Sequence, residues 1–178
     1  MAFLPPRIDD EIAIPASITE DVFHYAVHEG IAFSVATIAT EGDRFICFKT
    51  PNTSTLYHVL WTFSAENNAS FMVWEGVTPT AGGSDLVAYN KNRAASMNGR
   101  GASSCVAGNT LTAGSVQVGQ DWTGGTKIYE EFSSKNGGTD DAGHEIVLEK
   151  NTWYGFELAD VGTRDLGLTL TWFEVPLA

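Results

Sequence analysis

Positive charge is scarce in this chain. Ten lysines and arginines stand against 22 aspartates and glutamates, giving a net charge of −12 at neutral pH. A surface of that sign repels phosphate backbones and anionic lipid headgroups, so neither nucleic acid nor a membrane surface is an expected partner. Charge of either sign is thin, at 18% of residues, below the usual quarter of a globular chain. Thr, Ser, Asn and Gly fill the polar positions, and a weakly charged surface suits burial against a partner.

Cysteine is almost missing. Cys47 and Cys105 are the only two, with no CxxC and no zinc spacing, and free thiols are expected in preference to a single disulfide between them. Alternation in "RFICFKT" puts Cys47 on the face opposite Ile46 and Phe48. Long apolar runs are absent too, and none reaches the ~18 residues of a membrane span. The opening "MAFLPPRIDDEIAIPAS" has no basic leader and no long apolar centre, so synthesis in a cytoplasm is expected.

Helical periodicity is the next absence, since no window combines a 3.6-residue period with helix caps. The pattern is that of strands, rich in β-branched and aromatic residues and punctuated by turn clusters. Strands are expected at "VFHYAVH" (22–28), "IAFSVATIA" (31–39), "RFICFKT" (44–50), "TLYHVLWTFS" (55–64), "ASFMVWEGV" (69–77) and "DLVAYN" (85–90). Others are expected at "TKIYEEFSS" (126–134), "HEIVLEK" (144–150), "TWYGFEL" (152–158) and "LGLTLTWFEV" (166–175), with a weak one at "SVQVG". In the last of the long segments Leu166, Leu168, Leu170 and Trp172 share one face, as in a sheet with one buried side.

Nine or ten short strands in a 178-residue chain imply one all-β domain, an antiparallel β-sandwich of jelly-roll-like form. That domain is placed at 22–178. Residues 1–21, with Pro5, Pro6 and Pro15 among scattered apolar side chains, are expected to form an extended N-terminal arm, because proline interrupts helix and sheet alike.

Catalytic signatures are few. His24 and His28 would share a helix face, but on a strand they stand roughly 13 Å apart at about 3.3 Å per residue, too far for one ion. There is no GxSxG elbow, no phosphate loop and no HxH pair of the cupin kind. "GGTDDAGHE" offers Asp140 and Asp141 without the alternating ligands of a calcium loop. No catalytic residue, cofactor or metal is expected. Trp61, Trp74, Trp153 and Trp172 lie within apolar strand segments and are expected to be core. Trp122, in "GQDWTGG", is expected in a loop, available for partner contact. An exposed aromatic platform of this kind is what a glycan- or receptor-binding module would need.

What remains is a basic, amide-rich loop. "YNKNR", residues 89–93, holds two of the ten cations. Asn90 and Asn92 suit a tight turn and Arg93 suits a bidentate bond to a carboxylate. It is either a rigid corner or a contact surface.

The order of segments is similar to one known group. Val27, His28 and Gly30 with Phe33, then Lys49, Thr50 and Pro51, then Trp74, Glu75 and Gly76, then Tyr89 to Arg93, then Ile146 to Tyr154, then Trp172, Phe173 and Glu174 together resemble the capsid decoration (cement) proteins of tailed bacteriophages. Lys91 stands where the group's loop has arginine, and 94–125 matches only loosely. The resemblance implies a jelly-roll-like, non-enzymatic virion protein on the outer surface of the capsid, made in the host cytoplasm. Its implied partners are the major capsid protein and itself, as a homodimer or homotrimer. Candidate capsid or subunit contacts are Phe3, Leu4, Pro5, Pro6, Arg7 and Ile8 of the arm, the loop residues Asn90, Lys91, Asn92 and Arg93, and Trp122. The alternative is a glycan- or receptor-binding module of a phage tail fibre or tailspike.

Overall fold

A computed structural model of the chain describes residues 22–39, 44–80, 84–86, 88–92, 116–118, 121–133, 145–160 and 165–176. Along the chain these form α1 (Val22–His28), β1 (Ala32–Ala39), β2 (Arg44–Lys49), β3 (Thr55–Ala65), β4 (Ala69–Glu75), β5 (Thr78–Pro79) and β6 (Ser84–Asp85). They continue with β7 (Tyr89–Asn90), β8 (Val116–Val118), β9 (Trp122–Thr123), β10 (Thr126–Ser133), β11 (Glu145–Leu148), β12 (Trp153–Asp160) and β13 (Leu166–Pro176).

The strands make two packed sheets and a ribbon. The first sheet has the order β11-β3-β13-β1-β7, the second β10-β4-β12-β2-β8-β6, and β5 pairs with β9 alone. All these pairings are antiparallel. Successive members of the eight longer strands lie in opposite sheets, except β4 and β10, which follow one another within the second sheet and pair there. The steps β1 to β2, β3 to β4, β10 to β11 and β12 to β13 each cross from one sheet to the other. The resulting quartets, β11-β3-β13-β1 and β10-β4-β12-β2, are those of a jelly roll with its two Greek keys. The expected all-β, antiparallel sandwich is therefore the observed fold.

Alternation builds the core. Leu166, Leu168, Leu170 and Trp172 of β13 all point inward and are buried, opposite Phe48, Phe71, Val73, Phe156 and Leu158 of the second sheet. Aromatic rings fill the centre. Phe33 stacks on Trp172 at 5.8 Å between centroids, Phe48 meets the same indole edge-on at 5.3 Å, and Phe63 stacks on Phe71 at 5.5 Å. Offset and edge-to-face contacts of this kind add about 0.5–1.5 kcal/mol each beyond the area buried.

The chain departs from the expected strand at 22–28, which is a helix. Phe23, Ala26 and Val27 recur at helical spacing and pack on Phe173, Val175 and Leu60, the outer face of the first sheet. His24, Tyr25 and His28 face solvent. Gly30 ends the helix with φ of +68°. Its N–H donates to Val27 O at 3.1 Å and Ile31 N–H donates to Ala26 O at 3.0 Å, the paired bonds of a Schellman cap. The aromatic and β-branched residues of "VFHYAVH" favour strands, but an apolar stripe with a sheet to cover outweighs that preference, which amounts to a few tenths of a kcal/mol per residue.

The expected strand at 85–90 is also different. It divides into β6, in the second sheet, and β7, in the first, so the chain crosses between the sheets at 86–88. The weak strand at "SVQVG" is β8, between β2 and β6.

Candidate functional site

Three pairs of distant segments are bonded together at the corners of the sandwich. The first joins the end of α1 to the amide-rich loop. Asn90 is 1% exposed, and its Nδ2 donates to Gly30 O at 2.8 Å. Its Oδ1 accepts from Asn92 N–H at 2.8 Å, an Asx-type turn. Asn92 Nδ2 donates to His28 O at 2.9 Å, and Lys91 N–H donates to Ala32 O at 2.9 Å. The Lys91 ammonium lies 5.4 Å from the centre of the Phe23 ring, within cation–π range.

The second corner joins "KTP" to "EKNTWY". Thr50 is fully buried. Its hydroxyl donates to Glu149 O at 2.6 Å and accepts from Thr152 N–H at 2.9 Å, while its own N–H donates to Thr152 O at 3.0 Å. Asn151 takes a φ of +55°, a conformation asparagine tolerates better than most residues, and its N–H donates to Pro51 O at 3.2 Å.

The third corner joins "WEG" to the same strand. Tyr154 Oη accepts from Glu149 N–H at 2.8 Å and donates to Glu75 Oε1 at 3.0 Å. Burial is the main reason its phenol is pushed well above the ordinary range, and the Glu75 carboxylate adds to the effect. The phenol stays a donor at any physiological pH.

The outer face of the second sheet carries a different group. The indole of Trp122 lies on Gly155. A methyl group at 155 would stand 2.7 Å from Trp122 Cε2 and Cζ2, so only glycine leaves room for the ring. Trp122 belongs to β9 and is half-buried, where the sequence suggested an open loop. Cys47, beside Gly155 in the register, is a thiol with no exposure. Burial, with help from the Asp121 carboxylate, pushes its pKa up to about 12. As expected, Ile46 and Phe48 face the core and Cys47 the other way. Trp74 and Trp153 are on this outer face as well, half-buried, and only Trp61 and Trp172 of the four strand tryptophans are in the core. Trp74 Nε1 donates to Glu157 Oε2 at 2.9 Å. Lys49 and Lys127 lie 5.7 and 6.0 Å from the ring centres of Trp153 and Trp74.

Sequence reasoning missed the exposed apolar side chains. Ile38 is 80% exposed, Phe132 75% and Tyr89 59%. Ile38 borders an open depression of about 670 Å³ on the first sheet, floored by small residues that include Ala36, Thr62, Ser64, Gly167 and Thr169. The signal was present for Phe132. Alternation along β10 places it on the wet side with Glu130, where a large aromatic is out of place.

Asn90 and Asn92 thus serve a structural corner, and Lys91 sits on its exposed side. Arg93, the arm residues Phe3, Leu4, Pro5, Pro6, Arg7 and Ile8, and Cys105 lie outside the described residues. His24 and His28 are brought together, contrary to the 13 Å strand separation derived from their spacing. As neighbours on one helix turn, their Nε2 atoms are 3.0 Å apart. Among the described residues no group of three potential metal ligands occurs, and no helix is long and apolar enough to cross a membrane. Compared with known proteins, the chain matches no family model, no curated protein and no solved structure.

Proposed function

We propose that this chain is a non-enzymatic capsid decoration protein of a tailed bacteriophage, bound as a homo-oligomer to the outer surface of the head. The observation that carries the reading is the bonding between resembling segments. "HEG" meets "YNKN", "KTP" meets "EKNT" and "WEG" meets "TWY", so the resemblance rests on residues that hold the corners of one jelly roll. Ile38, Phe132 and Tyr89 leave apolar surface free for subunit or coat contacts. Small contacts repeated at every lattice position bridge neighbouring capsomers by multivalent attachment, and a closed homodimer or homotrimer at a symmetry axis is the assembly this reading expects.

The test is co-sedimentation of the purified protein with mature heads that lack it. Saturable binding at a fixed number of copies per head is the expected result. Absence of binding, with the protein recovered among tail components, would reject decoration.

A glycan-binding module is the second reading, favoured by one observation. Trp74, Trp122 and Trp153 share the outer face of the second sheet around Gly155. It predicts a change in tryptophan fluorescence on titration with host polysaccharide, which decoration does not.

A further inference from the structure

We propose that His24 and His28 form a two-nitrogen site for a divalent transition-metal cation such as Cu²⁺ or Ni²⁺. The inference is independent of what the protein decorates. It starts from the helix that the sequence concealed. On α1 the two imidazoles are four residues apart, both exposed, with Nε2 atoms 3.0 Å from one another.

The separation suits two nitrogens on one cation. With metal–nitrogen bonds of about 2.05 Å, two tetrahedral positions are about 3.35 Å apart and two adjacent square or octahedral positions about 2.9 Å. The observed 3.0 Å lies nearer the second, at an angle of about 94° by the same bond length. Tetragonal nitrogen sites suit Cu²⁺ and Ni²⁺, and Cu²⁺ also leads the affinity order of the divalent series.

Ring placement agrees. Were both rings aimed along their bonds to one cation at that angle, their centres would be about 4.7 Å apart, taking about 1.15 Å from ring centre to nitrogen. A straight N–H···N hydrogen bond of the observed length would separate the centres by about 5.3 Å. The centres are 4.5 Å apart, nearer the first value than the second.

The platform is also fixed in advance. Asn92 holds the His28 carbonyl, the Gly30 cap closes the helix, and Phe23, Ala26 and Val27 clamp the opposite face to the sheet. Such preorganisation is what an otherwise exposed pair needs. Coordination requires both rings as Nδ1–H tautomers, so the proton shared between the Nε2 atoms moves to the far side of one ring.

The full chain would be titrated with Ni²⁺ and with Cu²⁺ by calorimetry, alongside H24Q, H28Q and H144Q. One cation per chain is expected, with affinity reduced at least tenfold in H24Q and in H28Q and kept in H144Q. The Cu²⁺ electron paramagnetic resonance spectrum should show two nitrogen ligands in the unsubstituted protein and fewer in either single variant. Because both side chains are exposed, the variants keep the wild-type circular dichroism spectrum. Equal affinity in an H24Q/H28Q double variant, an equal loss in H144Q, or no saturable binding of either ion would overturn the site.

Discussion

Asn90 reaches across 60 residues of sequence to donate its side-chain amide to Gly30 O, at 2.8 Å and out of contact with water. It ties the amide-rich loop to the cap of the one described helix, and its other end organises the turn at Asn92. Asn90→Asp replaces the donor with an acceptor aimed at a carbonyl oxygen. A buried group left without its partner costs about 1–3 kcal/mol, more where charge is involved. Urea unfolding should show at least that loss for Asn90→Asp, whereas Lys91→Ala, at an exposed position, should stay within about 0.5 kcal/mol of wild type. Equal stability of Asn90→Asp and wild type would remove Asn90 from the framework and return the loop to the contact surface.

Gly155 and Trp122 give a second prediction. Gly155→Ala places a methyl group 2.7 Å from the indole, so the ring and its short ribbon must move. Overpacking of this kind costs about 1–3 kcal/mol. The same movement uncovers the neighbouring Cys47. A thiol reagent at pH 8 should leave wild-type Cys47 unmodified until unfolding and label it in the folded Gly155→Ala variant. Mass spectrometry of the Cys47 peptide distinguishes this site from Cys105. No labelling in the variant would show that something other than the Trp122 ribbon shields the thiol.

Alkali should weaken the fold. Cys47 is raised from its ordinary 9.0 to about 12, chiefly by burial. Tyr129 is raised from 10.0 to about 12, by desolvation and by its bond to Glu131. Between pH 9 and 12 the native state therefore holds protons that the unfolded chain has released, so unfolding becomes more favourable as pH rises. The stability these groups contribute is intact below pH 9 and is lost towards pH 12. Urea midpoints measured between pH 8 and 10.5 should fall, and Cys47→Ala should flatten part of that fall. An unchanged slope in Cys47→Ala would mean that the thiol is not differentially protonated.

Much of the fold was legible because β alternation is a direct image of burial. Leu166, Leu168, Leu170 and Trp172 show it in full. The helix was not legible from propensity, since Phe23, Tyr25 and Val27 are strand formers. Its signals were the apolar spacing at 23, 26 and 27 and the glycine at 30 that ends it. The division of 85–90 between two sheets has no local signature, because only the strands on either side decide where each half pairs. The outward Trp74 and Trp153 were misplaced for a related reason. A strand residue's apolar neighbours point to the opposite face, so they say little about its own. Of the candidate site, the Asn90 corner was foreseeable as a turn, but its bond to Gly30 depends on a helix position that the sequence reading had made a strand.

The arm is where the decoration reading meets its strictest test. Residues 1–16 carry Phe3, Leu4 and Ile8 beside two prolines, a composition suited to lying along a partner surface in extended form. Every described strand and the helix lie downstream of that segment. Deleting residues 1–16 should leave the circular dichroism spectrum and the urea midpoint within error of wild type. Head binding in the co-sedimentation assay should be abolished, because attachment through many weak copies is lost steeply when each contact weakens. Replacing Phe3, Leu4 and Ile8 together by serine should reproduce the deletion if apolar burial is the cause, since removing three large side chains forfeits about 1.5–3 kcal/mol each of the burial available. Retained binding in both variants would move the capsid contact to the sandwich itself, where Ile38 and Phe132 are the exposed apolar residues to substitute next.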